Sequence, residues 1–398
     1  MKAIEVLNCV VCNNRMDTVL EFPDLPLTGI YSKSGQDPLF PKHDQALMLC
    51  EGCGHGQLRY ILDGKFLYDS TYGFRTSTSS TASGGSQYFA QFLSRIFPDK
   101  KFARVLEFGC NDVYLLNLIQ DRAEKLLGVD PILKGRESEF ATSKIQVIGE
   151  RVESIDFKRV LGGAPDLILS QHTMEHLENP KQVLKGLMEI ADENSMFAME
   201  FPCFDPLLVN YRFDQVFHQH LQYFSLQSTL AMLEAVGAEL IDFDFNNHYW
   251  GALLIAFRKK SGVQAQTLAP VRKPLVFPVK SVQSIRERFE IFKSSMNLTA
   301  SMLKQTSGLK YGYGAALMLP ILGYHMQTDF SELECVLDDD PQKANLGYIN
   351  LPVKIKTPEA VNFRESTILL TAMDNRRPIL RNLLDKKPLR ILNPLGLL

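Results

Sequence analysis

Val105-Leu-Glu-Phe-Gly-Cys-Asn-Asp112 decides the fold: an apolar run meets one glycine, then polar residues that can open a helix. A strand that runs into a glycine turn and then a helix is the opening of a Rossmann-like unit. Gly109 lets the backbone come close to a ligand, and the helix start offers free N–H groups. The next apolar run, Leu126-Leu-Gly-Val-Asp130, ends in an acid about 20 residues on, where a carboxylate can accept from both hydroxyls of a ribose. The turn lacks the full glycine fingerprint that cradles a pyrophosphate. Glu107 and Asp112 instead suit a cationic amino-acid ligand, and S-adenosylmethionine carries both an ammonium and a sulfonium. The same residues also suit an ordinary strand–helix turn capped by Asn111 or Asp112.

Outward from this turn the pattern alternates. Tyr88 to Phe97 reads as a helix, Ala103 to Phe108 as a strand, Asp112 to Ile119 as a helix and Leu126 to Val129 as a strand. Asp166 to Ser170 and Met196 to Phe201 read as buried strands around a helix near Lys181 to Ile190, and Leu253 to Phe257 as a late strand. Such alternation predicts a parallel, doubly wound sheet. Arg75 to Gly85 is rich in Ser, Thr and Gly and reads as a linker or a polar loop over an active site. A proline-bearing linker is expected over 262–280. The apolar stripe Ile285, Phe289, Phe292, Met296 and Leu303 then predicts a helix from Ser284 to Gln305. The alternation restarts at Lys310-Tyr-Gly-Tyr-Gly-Ala-Ala316 and at a strand Leu333 to Asp338. The expected division is 1–72, 73–260 and 261–398.

Near the start, Cys9-Val-Val-Cys12 and Cys50-Glu-Gly-Cys53 form two CxxC knuckles. Two such pairs can bring four thiolates to one tetrahedral Zn²⁺. His55 is close enough in sequence to replace one of them. A redox pair or buried free thiols would use the same residues differently.

The 398 residues are 45% hydrophobic, with 43 Lys and Arg against 45 Asp and Glu, so the chain is globular and too balanced in charge to predict nucleic-acid binding. No apolar run is long enough for a membrane span. The opening Met1-Lys-Ala-Ile-Glu-Val-Leu-Asn8 lacks the core of a signal peptide. With four of seven cysteines in metal-type pairs, the expected compartment is the cytoplasm.

Gln171-His-Thr-Met-Glu-His176 follows a buried strand, at the carboxyl edge where such folds place their chemistry. Phe217-His-Gln-His220 lies among aromatic residues. Half of the eight histidines sit in these two segments, and neutral imidazole is a natural general base near pH 7. Satisfied core histidines fit the same pattern. A metal held by His218 and His220 would need a carboxylate that the sequence does not show nearby.

With these motifs in hand, the chain resembles the zinc-containing deoxysugar C-methyltransferases, which use S-adenosylmethionine on nucleotide-linked keto sugars. The resemblance runs over nearly the whole length. It covers the knuckles, the Glu107-Phe-Gly-Cys-Asn-Asp112 turn, Gly128-Val-Asp-Pro131, His218-Gln-His220 before Tyr223-Phe-Ser225, and the Tyr313-Gly314-Ala315 loop. It implies an α/β chain: a class I methyltransferase Rossmann-like core, an N-terminal zinc-binding module and a smaller C-terminal Rossmann-like domain for substrate. It implies His220 as general base, with His176 and Tyr72 beside it and His218 as the next candidate. Glu107, Gly109, Asn111, Asp112, Asp130 and Gln171 would hold the cofactor, and Cys9, Cys12, Cys50 and Cys53 the zinc.

Several positions depart from the family pattern. Phe217 and Gln219 stand where the family has tyrosine and glutamate. Val113 replaces a glycine, His248-Tyr-Trp-Gly-Ala252 replaces a His-Gly-Gly-Ser stretch, and Leu317 and Met318 stand where a lysine usually follows the loop. Two further readings therefore accompany methyl transfer to a carbon beside a ketone: transfer to a hydroxyl oxygen, and a nucleotide-sugar binding protein without catalysis. A nicotinamide enzyme built on Gly312-Tyr-Gly314 and Asp338 has too short a motif.

Overall fold

In this computed structural model the described residues are 3–32, 42–63, 75–260 and 280–396. Both expected boundaries, near 72 and near 261, fall outside them, as do Tyr72 and most of the 262–280 linker.

Seven strands form the central sheet: β1 (Phe102–Phe108), β2 (Ala123–Val129), β3 (Ile145–Ile148), β4 (Leu167–Gln171), β5 (Met196–Phe201), β6 (Ala238–Asn246) and β7 (Ala252–Lys259). Their order across the sheet is 3-2-1-4-5-7-6. The first five are parallel, and β7 runs antiparallel to both of its neighbours. The expectation of a parallel sheet thus holds for β1 to β5 only. A short turn joins β6 to β7, and a short turn can connect only antiparallel neighbours. Strands covered on both faces read as continuous apolar runs. Leu106, Phe108, Ile168 and Phe197 pack on one face, and Val105, Leu167, Leu169 and Ala198 on the other.

Helices α1 (Ser80–Ile96), α2 (Tyr114–Ile119), α3 (Pro180–Ile190) and α4 (Val282–Gln305) are the elements used below. Helix α1 corrects the linker reading of Arg75 to Gly85. Only Thr76–Thr78 is a short 3₁₀ turn, and from Ser80 the chain is α-helical. Ser79 caps the helix by accepting from the Ala82 N–H, which is what serine does best at that position. Gly85 is required by packing, because a Cβ there would lie 2.2 Å from the Tyr249 ring. Helix α4 buries the five residues of its predicted stripe and opens with a Ser281/Ser284 capping box.

Two further sheets tie the chain together. Asp17–Leu25, His43–Cys50 and His55–Leu58 form an antiparallel sheet, and Gln222–Tyr223 joins it from beyond β5. The second seven-stranded sheet runs Arg390–Leu392, Ser366–Leu370, Leu309–Tyr313, Cys335–Leu337, Leu351–Lys356, Gly347–Tyr348 and Tyr31–Ser32. Its first five strands are parallel. Its edge strand, Tyr31–Ser32, comes from the N-terminal part of the chain.

Candidate active site

The turn after β1 is built around close approaches. Gly109 has φ +70°, and a Cβ there would lie 1.8 Å from Thr173 Oγ1. Asn111 and Val113 also take left-handed φ, +47° and +55°. That conformation is unfavourable for a β-branched side chain, so the valine is held there by its burial. Asp130 follows β2 and accepts from the Asn111 N–H at 2.9 Å and the Ile132 N–H at 3.1 Å. Asn111 Oδ1 accepts from the Thr76 N–H, and Asp112 Oδ2 from the Ser77 N–H. The segment read as a linker therefore closes over the turn.

Three carboxylates meet here. Glu107, Asp112 and Asp130 are all buried. Glu107 Oε2 and Asp112 Oδ1 have no hydrogen-bond partner. Burial raises Glu107 far above the usual carboxylate range, and repulsion from Asp130 and Asp112 adds to it. Burial also raises Asp130, against the pull of its two backbone donors. Among the described residues no ion pair reaches any of the three. Gln171, at the end of β4, accepts from Ser86 Oγ at 2.7 Å and donates to Glu200 at 3.1 Å.

The histidines sort by position. His176 donates from Nδ1 to the Gln219 carbonyl at 2.8 Å, and its Nε2 lies 3.8 Å from Glu175 Oε1. The His176 and His220 rings are 5.1 Å apart. Glu175, His176 and His220 bring their ligating atoms within 4.8 Å of one another. Phe217 lies against the His220 ring at 4.0 Å. Burial lowers His220 to about 3, with His176 pushing the same way and Glu175 opposing. His218 is elsewhere: it donates to the Leu25 carbonyl at 3.1 Å and accepts from Gln45 Nε2 at 3.3 Å. It does not line the cavity. Gln219 donates to the Thr28 carbonyl at 2.7 Å, so its amide fastens the N-terminal segment.

Sequence reasoning passed over two acids and a histidine. His172, with φ +50°, donates to Glu200 at 2.9 Å and lies 3.4 Å from Glu175. Burial opposes its charge, but the two glutamates outweigh it and raise its pKa to about 10. Glu200 also accepts from Asn246 Nδ2 at 2.8 Å. His172 and Glu175 lie inside the quoted histidine segment; Glu200 ends a strand that reads as pure core.

Glu107, Gly109, Asp130, His172, Glu175, His176, His220, Ala315 and Asp338 line one cavity of about 1560 Å³; Asp112 and Glu200 are not among its lining residues. Asp338 accepts from the Ala315 N–H at 2.6 Å, and Tyr31 donates to the Ala315 carbonyl at 2.6 Å. Asp338 thus does for the second turn what Asp130 does for the first.

Away from the cavity, Cys9, Cys12, Cys50 and Cys53 bring their sulfurs within 4.8 Å of one another. Cys9 meets Cys53 at 3.6 Å and Cys12 meets Cys50 at 3.3 Å. The neighbouring Cys53 thiol holds Cys9 below the usual thiol range, against burial. His55 faces Gln222 at 3.0 Å instead of joining the cluster. Four converging sulfurs fit a closed tetrahedral metal site.

Residues 82–242 match a family model described as a methyltransferase domain. The C-methyltransferase NovU of Streptomyces niveus is 24% identical over 263 residues, 62% of this chain and 59% of that protein. The chain thus matches less than two thirds of that relative's length. Two solved structures give weaker likenesses. N-methyltransferase NodS from Bradyrhizobium japonicum WM9, in complex with S-adenosyl-L-homocysteine, is 13% identical with a TM-score of 0.36, covering 44% of this chain and 88% of that one. Magnesium protoporphyrin IX methyltransferase from Synechocystis PCC 6803 is 11% identical with a TM-score of 0.34, covering 45% and 80%. The family match and the 3-2-1-4-5-7-6 sheet agree on the fold: residues 82–242 have the class I methyltransferase, Rossmann-like fold.

Proposed function

We propose that this chain transfers a methyl group from S-adenosylmethionine to a sugar carbon beside a ketone, the sugar being nucleotide-linked. The carrying observation is the buried trio Glu107, Asp112 and Asp130, with two unpartnered oxygens and no ion pair among the described residues. Like charges in one low-dielectric site destabilise each other, and a cationic ligand relieves them. Glu107, which lines the cavity, would face a positive group of the cofactor; Asp112 does not line it and would act only through its charge beneath the turn. Asp130 has lone pairs left for the ribose hydroxyls after its two backbone bonds. Bound there, S-adenosylmethionine supplies an electrophilic methyl group.

His220 takes the proton. Its lowered pKa leaves the ring neutral across physiological pH, and Glu175 stabilises the imidazolium once it forms. A carbon acid needs help at the developing enolate oxygen; His176 supplies it only as the imidazolium, from Nε2, because its Nδ1–H is taken by the Gln219 carbonyl. Phe217 supplies apolar cover but no proton. The similarity to a C-methyltransferase supports carbon as the acceptor atom, and the turn at Ala315 supports a substrate held against the second sheet. Four cysteines would hold a structural zinc, and a closed site leaves no position for substrate.

Calorimetry with S-adenosylmethionine and turnover with nucleotide-linked keto sugars test this reading. Asp130→Ala should weaken cofactor binding by about 1.5–3 kcal/mol. His220→Asn should lower turnover by about 10²–10⁴ while leaving cofactor affinity nearly unchanged. Unchanged affinity in the first variant, or wild-type turnover in the second, would sink the respective assignment. A methyl ether in the product would move the acceptor atom from carbon to oxygen.

A further inference from the structure

Arg212 is 2% exposed and is among the largest fully buried side chains. Its Nε and Nη2 clamp Asp214, each at 2.8 Å, and Nη2 also donates to Asp374 at 2.6 Å. Its Nη1 is buried with no partner. The Trp250 ring lies 5.0 Å from the Arg212 Cζ, and its Nε1 is also buried with no partner. Both side chains line the cavity that holds His176, His220 and Asp130. Trp250 is held at φ +56°, an uncommon conformation for so bulky a residue. Such strain persists where the surroundings dictate the placement.

Charge and donor chemistry narrow the ligand. Arg376 and Arg377 stand 4.3 and 5.1 Å from the same indole. Among the described residues neither has an ion pair. Arg376 and Arg377 do not line the cavity themselves, but around the indole three guanidiniums stand against two carboxylates, Asp214 and Asp374, leaving one positive charge in excess. Guanidinium and indole N–H groups donate and cannot accept. A buried donor left unpaired is costly, and two of them on neighbouring side chains that line one cavity call for an acceptor-only partner.

We infer that Arg212 Nη1 and Trp250 Nε1 form a subsite for one oxyanion of the methyl acceptor, a phosphoryl or a carboxylate group. The inference rests on the proposed function only in placing that anion on the acceptor. The three residues that meet there come from distant stretches. Arg212 precedes the His218–His220 segment, Trp250 turns β6 into β7, and Arg376 begins a helix packed on the second sheet. An anion seated there would fix the acceptor's orientation in the cavity that Gly109 and Asp130 also line.

Trp250 is the chain's single tryptophan, so intrinsic tryptophan fluorescence reads this subsite alone. The wild-type protein is titrated at constant ionic strength with inorganic pyrophosphate, with a nucleoside diphosphate and with glucuronate, and separately with S-adenosylmethionine by calorimetry. A saturable response to the first two assigns a phosphoryl group; a response to glucuronate alone assigns a carboxylate. Trp250→Phe keeps the ring and removes the N–H, and calorimetry should show about tenfold or greater weakening of the anion. Arg376→Gln, at a partly exposed position, should weaken it several-fold. Arg212→Gln strips two aspartates of their partner, so its melting temperature is measured beside its affinity. No saturable response to any of the anions, with S-adenosylmethionine still bound, overturns the subsite and leaves the methyl-transfer reading standing. Unchanged anion affinity in both Trp250→Phe and Arg376→Gln also overturns it. An anion response without cofactor binding supports the subsite and removes the methyl-transfer reading instead.

Discussion

His172 acquires its charge through folding. Glu175 and Glu200 outweigh the burial that opposes its charge and raise its pKa to about 10 from the usual histidine value near 6.5. The stability it contributes is complete below the unfolded pKa near 6.5 and is lost as pH rises through about 10. His172→Gln should therefore unfold at lower denaturant than the parent near pH 7, and the gap should close as the pH approaches 10. Equal midpoints for the two proteins across that range would refute this account. At the same scale, legibility followed locality. Glu107, Gly109 and Asp130 belong to one strand–turn–strand pattern, so a short window showed them. Arg212 closes on Asp374 across 162 residues, and Glu200 ends an apolar strand. Neither has a local signature. His218 shared its spacing with His220 but faces Leu25 and Gln45: on either side of Gln219 the backbone turns, with the His220 N–H bonded to the Phe217 carbonyl, and a residue offset of two no longer means a shared face.

Helix α1 shows how packing overrides composition at the level of elements. Its first turns are Ser-Thr-Ala-Ser-Gly-Gly, a poor helix sequence, yet Tyr249 needs the space over Gly85. Gly85→Ala gains about 0.5–1 kcal/mol of helix propensity and loses about 1–3 kcal/mol by overpacking, so net destabilisation is expected. Gly84→Ala is the control, since a Cβ there meets His248 Nδ1 at 3.2 Å and nothing closer. It should be neutral or slightly stabilising. Denaturant midpoints of the pair decide it; equal effects would remove Tyr249 as the cause. Strand β6 was missed for a related reason. Asp242 and Asp244 interrupt its apolar pattern, yet Asp244 is buried, accepting from Tyr88 at 2.9 Å and from Arg95 at 3.0 Å. Partners on α1 make an acid tolerable inside a sheet. Strands β1, β2, β4 and β5 and helix α4 were legible because apolar runs and a single stripe mark buried elements without help from distant residues.

Across the whole molecule, the cysteine cluster and the cavity share a sheet. His55–Leu58 follows the second knuckle and pairs with Gln222–Tyr223, two residues beyond His220. Metal analysis should find about one zinc per chain. Stripping it with a chelator should lower the melting temperature and reduce turnover more than S-adenosylmethionine affinity, because the linked strand follows directly on His220, the proposed base, and not on the cofactor turn. A metal-free protein with unchanged melting and turnover would contradict this coupling. The second parallel sheet was legible because the strand–helix alternation restarts visibly after residue 305. The exchange of strands was not, since Tyr31–Ser32 is too short to carry a pattern. That small strand has a consequence for biosynthesis. Tyr31 bonds to Ala315, 284 residues later, and Thr28 to Leu317, 289 residues later. During synthesis the Tyr31–Ser32 strand therefore waits for partners made nearly three hundred residues later. Until then a sheet edge and one wall of the cavity are open, which favours slow, late consolidation and exposes the nascent chain to pairing with its neighbours on a polysome.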